Sequence, residues 1–410
     1  MFWAGVVEHV YREPKGPNKT PSCGNSFHDP GLVMVYDPVT EVWGEFLTAG
    51  DTPPPTAAPA ADTDSSGTLF VFGGLVMTET VTGYYQYQTS ASLYTLNLAT
   101  RQWTQQRPGG DRPPPSEKGA GWHHQGRFFM FGGFCWDGEV LERLARREQY
   151  EVVRDGVTGG GWHNCLTSYC PRTNTYHRHL LAGDRPSARA GAAVSVLADQ
   201  VFIFGGRARN SRLNDLFCID LQTMTSTILQ IATSPDMFGP PSACQPCPRS
   251  LHSMTSDGAG RLVVYGGLDR ISAPLNDCWL LEVDTCTWRQ QDLSYDHGLV
   301  RCWHSAVLTP QEILVHSGLT QEHYLTRLDL DDHCQDILRL KFGTSSLKKL
   351  ALETVIDFLV SKDQQQIMEM IQCLPSIFQK SILSRTSKIP QSSETDAETD
   401  YSRSRLHSGI

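Results

Sequence analysis

The 410-residue sequence lacks most of the features that would declare a function at once. It has no lysine and arginine run of nucleic-acid-binding type, and Asp plus Glu outnumber Lys plus Arg by 44 to 35. A duplex or other polyanionic surface is therefore not expected as the main partner. No apolar run reaches membrane length, since "AGAAVSVLADQVFIFGG" is broken by Asp199 and ends in glycines. The start, "MFWAGVVEHV", has neither the basic region nor the long apolar stretch of a secretory signal. Its twelve cysteines accordingly read as free thiols in a reducing compartment, cytoplasm or nucleus. Catalytic signatures are missing too. No Ser, His and Asp set stands in a nucleophile motif, and "CQPC" (244–247) has no second half to complete a zinc site. His123 and His124 alternate across a strand and do not easily share one metal ion. The expectation is a non-catalytic protein without a cofactor.

What the sequence does contain is repetition. "TLFVFGG" (68–74), "RFFMFGG" (127–133), "QVFIFGG" (200–206) and "RLVVYGG" (261–267) are copies of one strand closed by paired glycines. A weaker copy, "EILVHSG" (312–318), follows, and "MFWAG" at the start resembles another, which makes six. Downstream of five of them a threonine precedes a further position by three residues: Thr40 and Trp43, Thr100 and Trp103, Thr173 and Tyr176, Thr223 and Ser226, Thr285 and Trp288. The threonines read as hairpin turns, and the rings as fillers of the wedge between adjacent sheets, with Ser226 the exception. Proline-rich stretches such as "PPPSEKGAGWHH" (113–124) and "RPSARAGAAVSV" (185–196) supply a turn and one more strand. Units of roughly 50 residues with this order are the kelch pattern, so the predicted fold is all-β, a six-bladed kelch β-propeller over residues 1–342. The chain enters at what would be the second strand of blade one, which predicts an incomplete first blade: a preceding segment is missing, or the ring closes with an exposed edge.

Strand parity gathers candidate residues at one mouth of such a ring. With strands a to d running outward, the b–c loop and the loop from d into the next a emerge on the same side. Arg207 and Arg212 fall in the b–c loop of blade IV, Ser250 and Leu251 in the junction before blade V, and Trp303 before blade VI, while Trp162 belongs to the long blade III insertion. Two guanidiniums and a hydroxyl suit a carboxylate or phosphate, and tryptophans offer walls for a peptide. The same arginines can equally be solvated loop residues in ordinary surface ion pairs.

Beyond "DILRLKF" (336–342) the period changes from two to about four. "SSLKKLALETVIDFLV" (345–360) places Leu347, Ala351 and Val355 on one helical stripe, and a second helix follows through Leu374 to Pro375, together making a helical extension over residues 343–384. The stripe either packs on the propeller or is offered to another protein. The polar residues 385–410 read as a disordered tail.

With these residues in place the chain resembles, over nearly its whole length, the kelch domain-containing protein 1 and 2 family, substrate receptors of cullin-2 RING ubiquitin ligases. "GGRARNSRLNDLFCIDL" (205–221), "PRSLHSM" (248–254) and "RCWHSAV" (301–307) carry the resemblance. It implies that Arg207, Arg212 and Ser250 clamp the C-terminal carboxylate of substrates ending in Gly or Gly-Gly, with Trp162, Leu251 and Trp303 as pocket walls. Leu251 stands where the family usually has tryptophan. The resemblance extends to an elongin-binding box (Leu347, Ala351, Val355) and a cullin-2 box (Leu374, Pro375), implying elongin B, elongin C, cullin-2 and a RING protein as partners. Two other readings remain: a kelch scaffold gripping a folded partner without ligase recruitment, and a copper-dependent propeller oxidase.

Overall fold

The computed structural model describes residues 31–341, apart from 80–84, 148–149, 231–244, 258, 292–299, 310–311 and 321–335. The chain divides into two units, the first made of residues 1–36 and 43–345. Of the second, residues 37–42 and 346–410, the described part is the turn 37–42, where the Glu41 N–H donates to the Asp37 carbonyl at 2.8 Å.

Among the described residues six of the nine sheets are blades that follow one another along the chain, and the other three are small sheets in the loops. Blade II is formed by Ala60–Thr63, Thr68–Phe72, Leu93–Asn97 and Gln102–Gln106, and blade III by Ala120–His124, Arg127–Phe131, Leu166–Cys170 and Thr175–His179. Blade IV comprises Ala193–Leu197, Gln200–Phe204, Leu216–Asp220 and Thr225–Ile228. Ser253–Ser256, Arg261–Tyr265, Cys278–Glu282 and Thr287–Gln291 make blade V. Every neighbouring pair among these four-stranded units is antiparallel. Among the described residues blade VI shows three strands, Ser305–Leu308, Glu312–His316 and Ile337–Lys341, and blade I two, Leu32–Asp37 and Val42–Leu47. The "MFWAG" segment lies outside the described residues. The architecture is a kelch-type propeller, as the repeats predict.

After a polar first residue the glycine-terminated strands are apolar and buried because both faces are covered. Val201 and Ile203 pack toward blade III with Phe129 and Phe131, whereas Phe202 and Phe204 pack toward blade V with Leu262 and Val264. The same alternation places Leu69 and Val71 against Val33 of blade I, and Phe70 and Phe72 against Phe128 and Met130 of blade III. The core is thus a series of layers between blades.

Each predicted hairpin turn is observed, with the residue after the threonine in the left-handed region: Glu41, Arg101, Asn174, Met224 and Cys286 have φ between 49° and 60°. The following rings fill the wedges. Trp288 of blade V meets Phe204 of blade IV at 5.3 Å, and Tyr176 of blade III meets Phe72 of blade II at 6.4 Å. Trp43 of blade I lies 4.8 Å from His316 of blade VI, which joins the last blade to the first. At Ser226 the hydroxyl is buried and finds no hydrogen-bond partner among the described residues.

The paired glycines and a buried arginine stitch successive blades together. N–H groups of Gly133, Gly206 and Gly267 donate at 2.8 Å to the carbonyls of Arg189, Arg249 and Arg301, at the entry to the next blade. A Cβ on the preceding Gly132, Gly205 or Gly266 would come within 2.7, 2.7 and 2.4 Å of those same oxygens, and each has positive φ, so only glycine fits. The arginine side chains then grip their own blade. Arg189 donates to both Asp215 oxygens (2.6 and 2.8 Å) and to the Gly205 carbonyl (3.0 Å); Arg249 does the same with Asp277 (both 2.7 Å) and Gly266 (3.0 Å). Arg301 donates to the carbonyl of Ser317, which replaces the first glycine at φ 63°. In blade III the position is Ser116, whose hydroxyl bonds His163 Nε2 at 2.7 Å. Because His163 Nδ1 accepts from the Cys165 N–H, Nε2 carries the proton and donates.

Two features go beyond the sequence expectations. Ala49–Gly50, Gly109–Gly110 and Ala182–Gly183 each add a short parallel pairing to the outer strand of the following blade. Blade III also carries a helix, α1 (Gly138–Ala145), inside its insertion, capped by Asp137 and burying Leu141 and Leu144.

Arg249→Ala leaves Asp277, among the described residues, with only the Trp279 indole (2.7 Å) as side-chain partner. Breaking a buried pair on one side costs about 3–5 kcal/mol, so this variant is expected to melt well below the parent by calorimetry. Acid should also destabilise the propeller. Burial pushes His163 and His304 down to about 3, so the unfolded chain binds protons below its ordinary histidine value near 6.5 while the folded chain does not. Stability is complete above that value and falls as pH drops toward 3, by about 1.4 kcal/mol per pH unit per histidine. Melting temperatures between pH 6.5 and 5, above the ordinary carboxylate range, check this: wild type should decline and His304→Gln should decline less.

Candidate functional site

The b–c loop of blade IV is a small hairpin, Arg207–Ala208 against Ser211–Arg212, with Arg207 directly opposite Arg212. Opposed residues of an antiparallel pair project to the same face with Cβ atoms about 4.5–5.5 Å apart, and like charges there repel. The register therefore starts both arginine side chains from one face of the hairpin. The hairpin is anchored by a two-way backbone exchange between Arg207 and Ala190, at 2.8 and 3.0 Å.

Arg212 is buried and oriented from two sides. Its Nε donates to Ser250 Oγ at 2.8 Å and its Nη2 to Ser272 Oγ at 3.0 Å. Ser250 is itself fixed by a two-way backbone exchange with Leu268. Ser272 lies in the b–c loop of blade V, at φ 68°, in a turn where Asp269 accepts from the N–H groups of Ile271 and Ala273. Arg207 is exposed and donates through Nε to the Arg209 carbonyl at 2.8 Å. Among the described residues it makes no ion pair.

Both arginines line a cavity of about 750 Å³, and so do Ser250, Leu251, Trp162 and Trp303. The structure thus brings all six sequence-predicted pocket residues into one place. Four of the lining residues, Lys118, Gly191, Leu251 and Trp303, belong to a repeated backbone device. Ala58, Lys118, Gly191, Leu251 and Trp303, one at the entry to each of blades II to VI, all have φ between 51° and 63°. They are linked in series: the Lys118 N–H donates to Ala58 (2.9 Å), Gly191 to Lys118, Leu251 to Gly191 and Trp303 to Leu251 (each 2.8 Å). Left-handed backbone at a side-chain-bearing residue costs on the order of 1 kcal/mol, and each position gains a hydrogen bond in return.

Other lining residues escape the sequence reading. Lys118 sits 3.2 Å from Glu117 and 5.1 Å from the Trp303 ring centroid. Phe134 meets Trp162 edge-on at 5.0 Å and Trp136 at 5.4 Å, and the Trp136 indole donates to Glu117 at 3.0 Å. The blade III insertion, from which no site residue was expected besides Trp162, in fact supplies Phe134, Trp136, Asp155, Val157 and Thr158 to the lining. No group of three or more metal-ligating side chains occurs among the described residues. The elongin-box and cullin-box residues Leu347, Ala351, Val355, Leu374 and Pro375 lie outside the described residues, as do the rest of the helical extension and the tail.

Comparison with known proteins bears on this mouth. Residues 154–357 match the KLHDC2/KLHL20/DRC7 Kelch-repeats domain, a stretch that contains all six pocket residues named above. Mouse kelch domain-containing protein 1 is 28% identical over 359 residues, covering 83% of this chain and 82% of its own length. Bovine kelch domain-containing protein 2 is 24% identical over 349 residues, covering 84% and 79%. The chain is similar to kelch domain-containing proteins 1 and 2 over most of its length. Human host cell factor 1 matches more narrowly, 27% over 240 residues, which is 55% of this chain and 10% of that protein. A solved structure, that of YjhT, superposes with a TM-score of 0.54 at 16% identity, covering 77% of this chain and 90% of that one, which supports the fold alone. The comparisons support a substrate-binding role of kelch type, and charged and aromatic side chains converge on the cavity.

Proposed function

We propose that the cavity captures the free C-terminal carboxylate of substrate proteins ending in Gly or Gly-Gly. The single observation that carries this reading is the pairing of Arg207 and Arg212 on one face of a hairpin, with Arg212 hydrogen-bonded to Ser250 at the cavity wall. Two like charges held together by register are stabilised by an anion shared between them, and a carboxylate matches the planar fork of a guanidinium. Trp162 and Trp303 would flank the incoming peptide. The preference for glycine rests on the family resemblance and on the closeness with which a residue lacking Cβ lets both arginines approach.

In the same proposal the protein is a non-catalytic substrate receptor of a cullin-2 RING ubiquitin ligase, acting in the cytoplasm, the nucleus or both. Leu347, Ala351 and Val355 would engage elongin C with elongin B, and Leu374 and Pro375 would engage cullin-2 with its RING protein. This part is supported by the resemblance of residues 346–355 and 373–378 to the two boxes, occurring together and in that order. The substrate is then presented for ubiquitination and degradation by the proteasome.

Titration with a free-acid Gly-Gly peptide is expected to show Arg212→Ala weakened by about 2–5 kcal/mol, as when a buried charge pair loses one partner. Amidation of the peptide should weaken wild-type binding comparably. Equal affinity of acid and amide would exclude the carboxylate reading. Independently, Leu347→Ala should abolish co-purification of elongins B and C with the full chain. Retention of both elongins would favour the scaffold reading.

A further inference from the structure

Beside the arginine clamp the cavity has an apolar wall. Leu268, Cys302 and Leu319 are buried as a cluster with Leu251 and Trp303 packed against them, and all five line the cavity. The wall is continuous with the clamp: Leu268 exchanges backbone hydrogen bonds with Ser250, and Cys302 does so with Leu319. The Cys302 thiol is pushed up to about 12 by burial, so it meets a ligand as a neutral, weakly polar surface.

Leu251 sets the depth of this wall. It occupies the same left-handed junction position as Trp303 one blade later, at φ 57° against 61°, and the two are joined by the Trp303 N–H to Leu251 carbonyl bond. The backbone there holds an isobutyl group in one blade and an indole in the next. The neighbouring position is Gly191, where a Cβ would meet Leu251 Cδ2 at 2.9 Å. The isobutyl group therefore packs closely over Gly191; being smaller than an indole, it leaves the cavity beside the carboxylate site less filled than tryptophan would, and apolar atoms of Leu251, Leu268 and Leu319 line it.

Resting on the carboxylate reading above, we propose that this wall receives the side chain of the terminal residue, so that chains ending in a small aliphatic residue, alanine foremost, bind at least as tightly as chains ending in glycine. Leu251 is then a specificity-determining residue. A methyl group moved from water onto Leu251, Leu268 and Leu319 contributes roughly fourfold in affinity, enough to offset a slightly less close approach of the clamp.

The test is a titration of the full chain with free-acid peptides identical except for endings in Gly-Gly, Gly-Ala and Gly-Val, and with the Gly-Gly amide. Wild type is expected to bind Gly-Ala as tightly as Gly-Gly or up to about fourfold tighter. Leu251→Trp, which the backbone at Trp303 already accommodates, should weaken Gly-Ala at least about tenfold relative to Gly-Gly. Leu251→Ala should shift preference toward Gly-Val. The inference is overturned if wild type binds Gly-Ala measurably weaker than Gly-Gly, or if neither substitution changes the Gly-Ala to Gly-Gly ratio. An acid-dependent protein that accepts only glycine sinks the inference and leaves the carboxylate reading standing. If the amide binds like the acid, or no peptide binds, both fail.

Discussion

The structure depends on a residue that belongs to two blades at once. The carbonyls of Arg189, Arg249 and Arg301 accept from the second glycine of the preceding blade, while their guanidiniums reach into the blade that follows. Arg189 and Arg249 have no side-chain exposure, and each is satisfied by a bidentate carboxylate and by backbone carbonyls. A buried charge of this kind is tolerated because its donors are all used, and removing one partner strands the rest. The Gly-Gly pair and the arginine are therefore one device. The glycines allow the approach, and the arginine fixes its direction.

The same junctions build the mouth. Two residues after each arginine or its equivalent comes the left-handed position held by Lys118, Gly191, Leu251 and Trp303, linked in series by backbone hydrogen bonds. Because the backbone is shared, the side chains there vary freely: a cation, nothing, an aliphatic group and an indole. Structural repetition thus supplies a rigid frame, and the differences between repeats supply chemistry. Arg207 and Arg212 enter from a short hairpin of a single blade, and Ser250 and Ser272 from the next blade hold Arg212 in place.

Much of this was legible beforehand. The paired glycines, the turn threonines and the wedge rings Trp43, Trp103, Tyr176 and Trp288 appear in the sequence in a fixed order, because each satisfies a local requirement that recurs in every unit. Parity was enough to bring Arg207, Arg212, Ser250, Leu251, Trp162 and Trp303 to one cavity. Other signals were present and not used. "TAGD", "PGGD" and "LAGD" mark the short parallel pairings at Gly50, Gly110 and Gly183, and Asp137 followed by Val140, Leu141 and Leu144 marks α1. The buried arginines were legible as well, at the same place in "RPSARAG", "CPRSLHS" and "RCWHSAV".

By itself the sequence determined the number and order of repeats, the strand period and the loops that share a face, since these follow from local pattern and alternation. Only the tertiary structure decided what meets what. That Lys118 faces Trp303, that Phe134 braces Trp162, and that Ser272 completes the hold on Arg212 are contacts between residues 28 to 185 positions apart in the chain. No local pattern encodes such pairs. They arise where separate blades converge on one mouth, and the side chains that meet there are fixed by the packing of whole sheets.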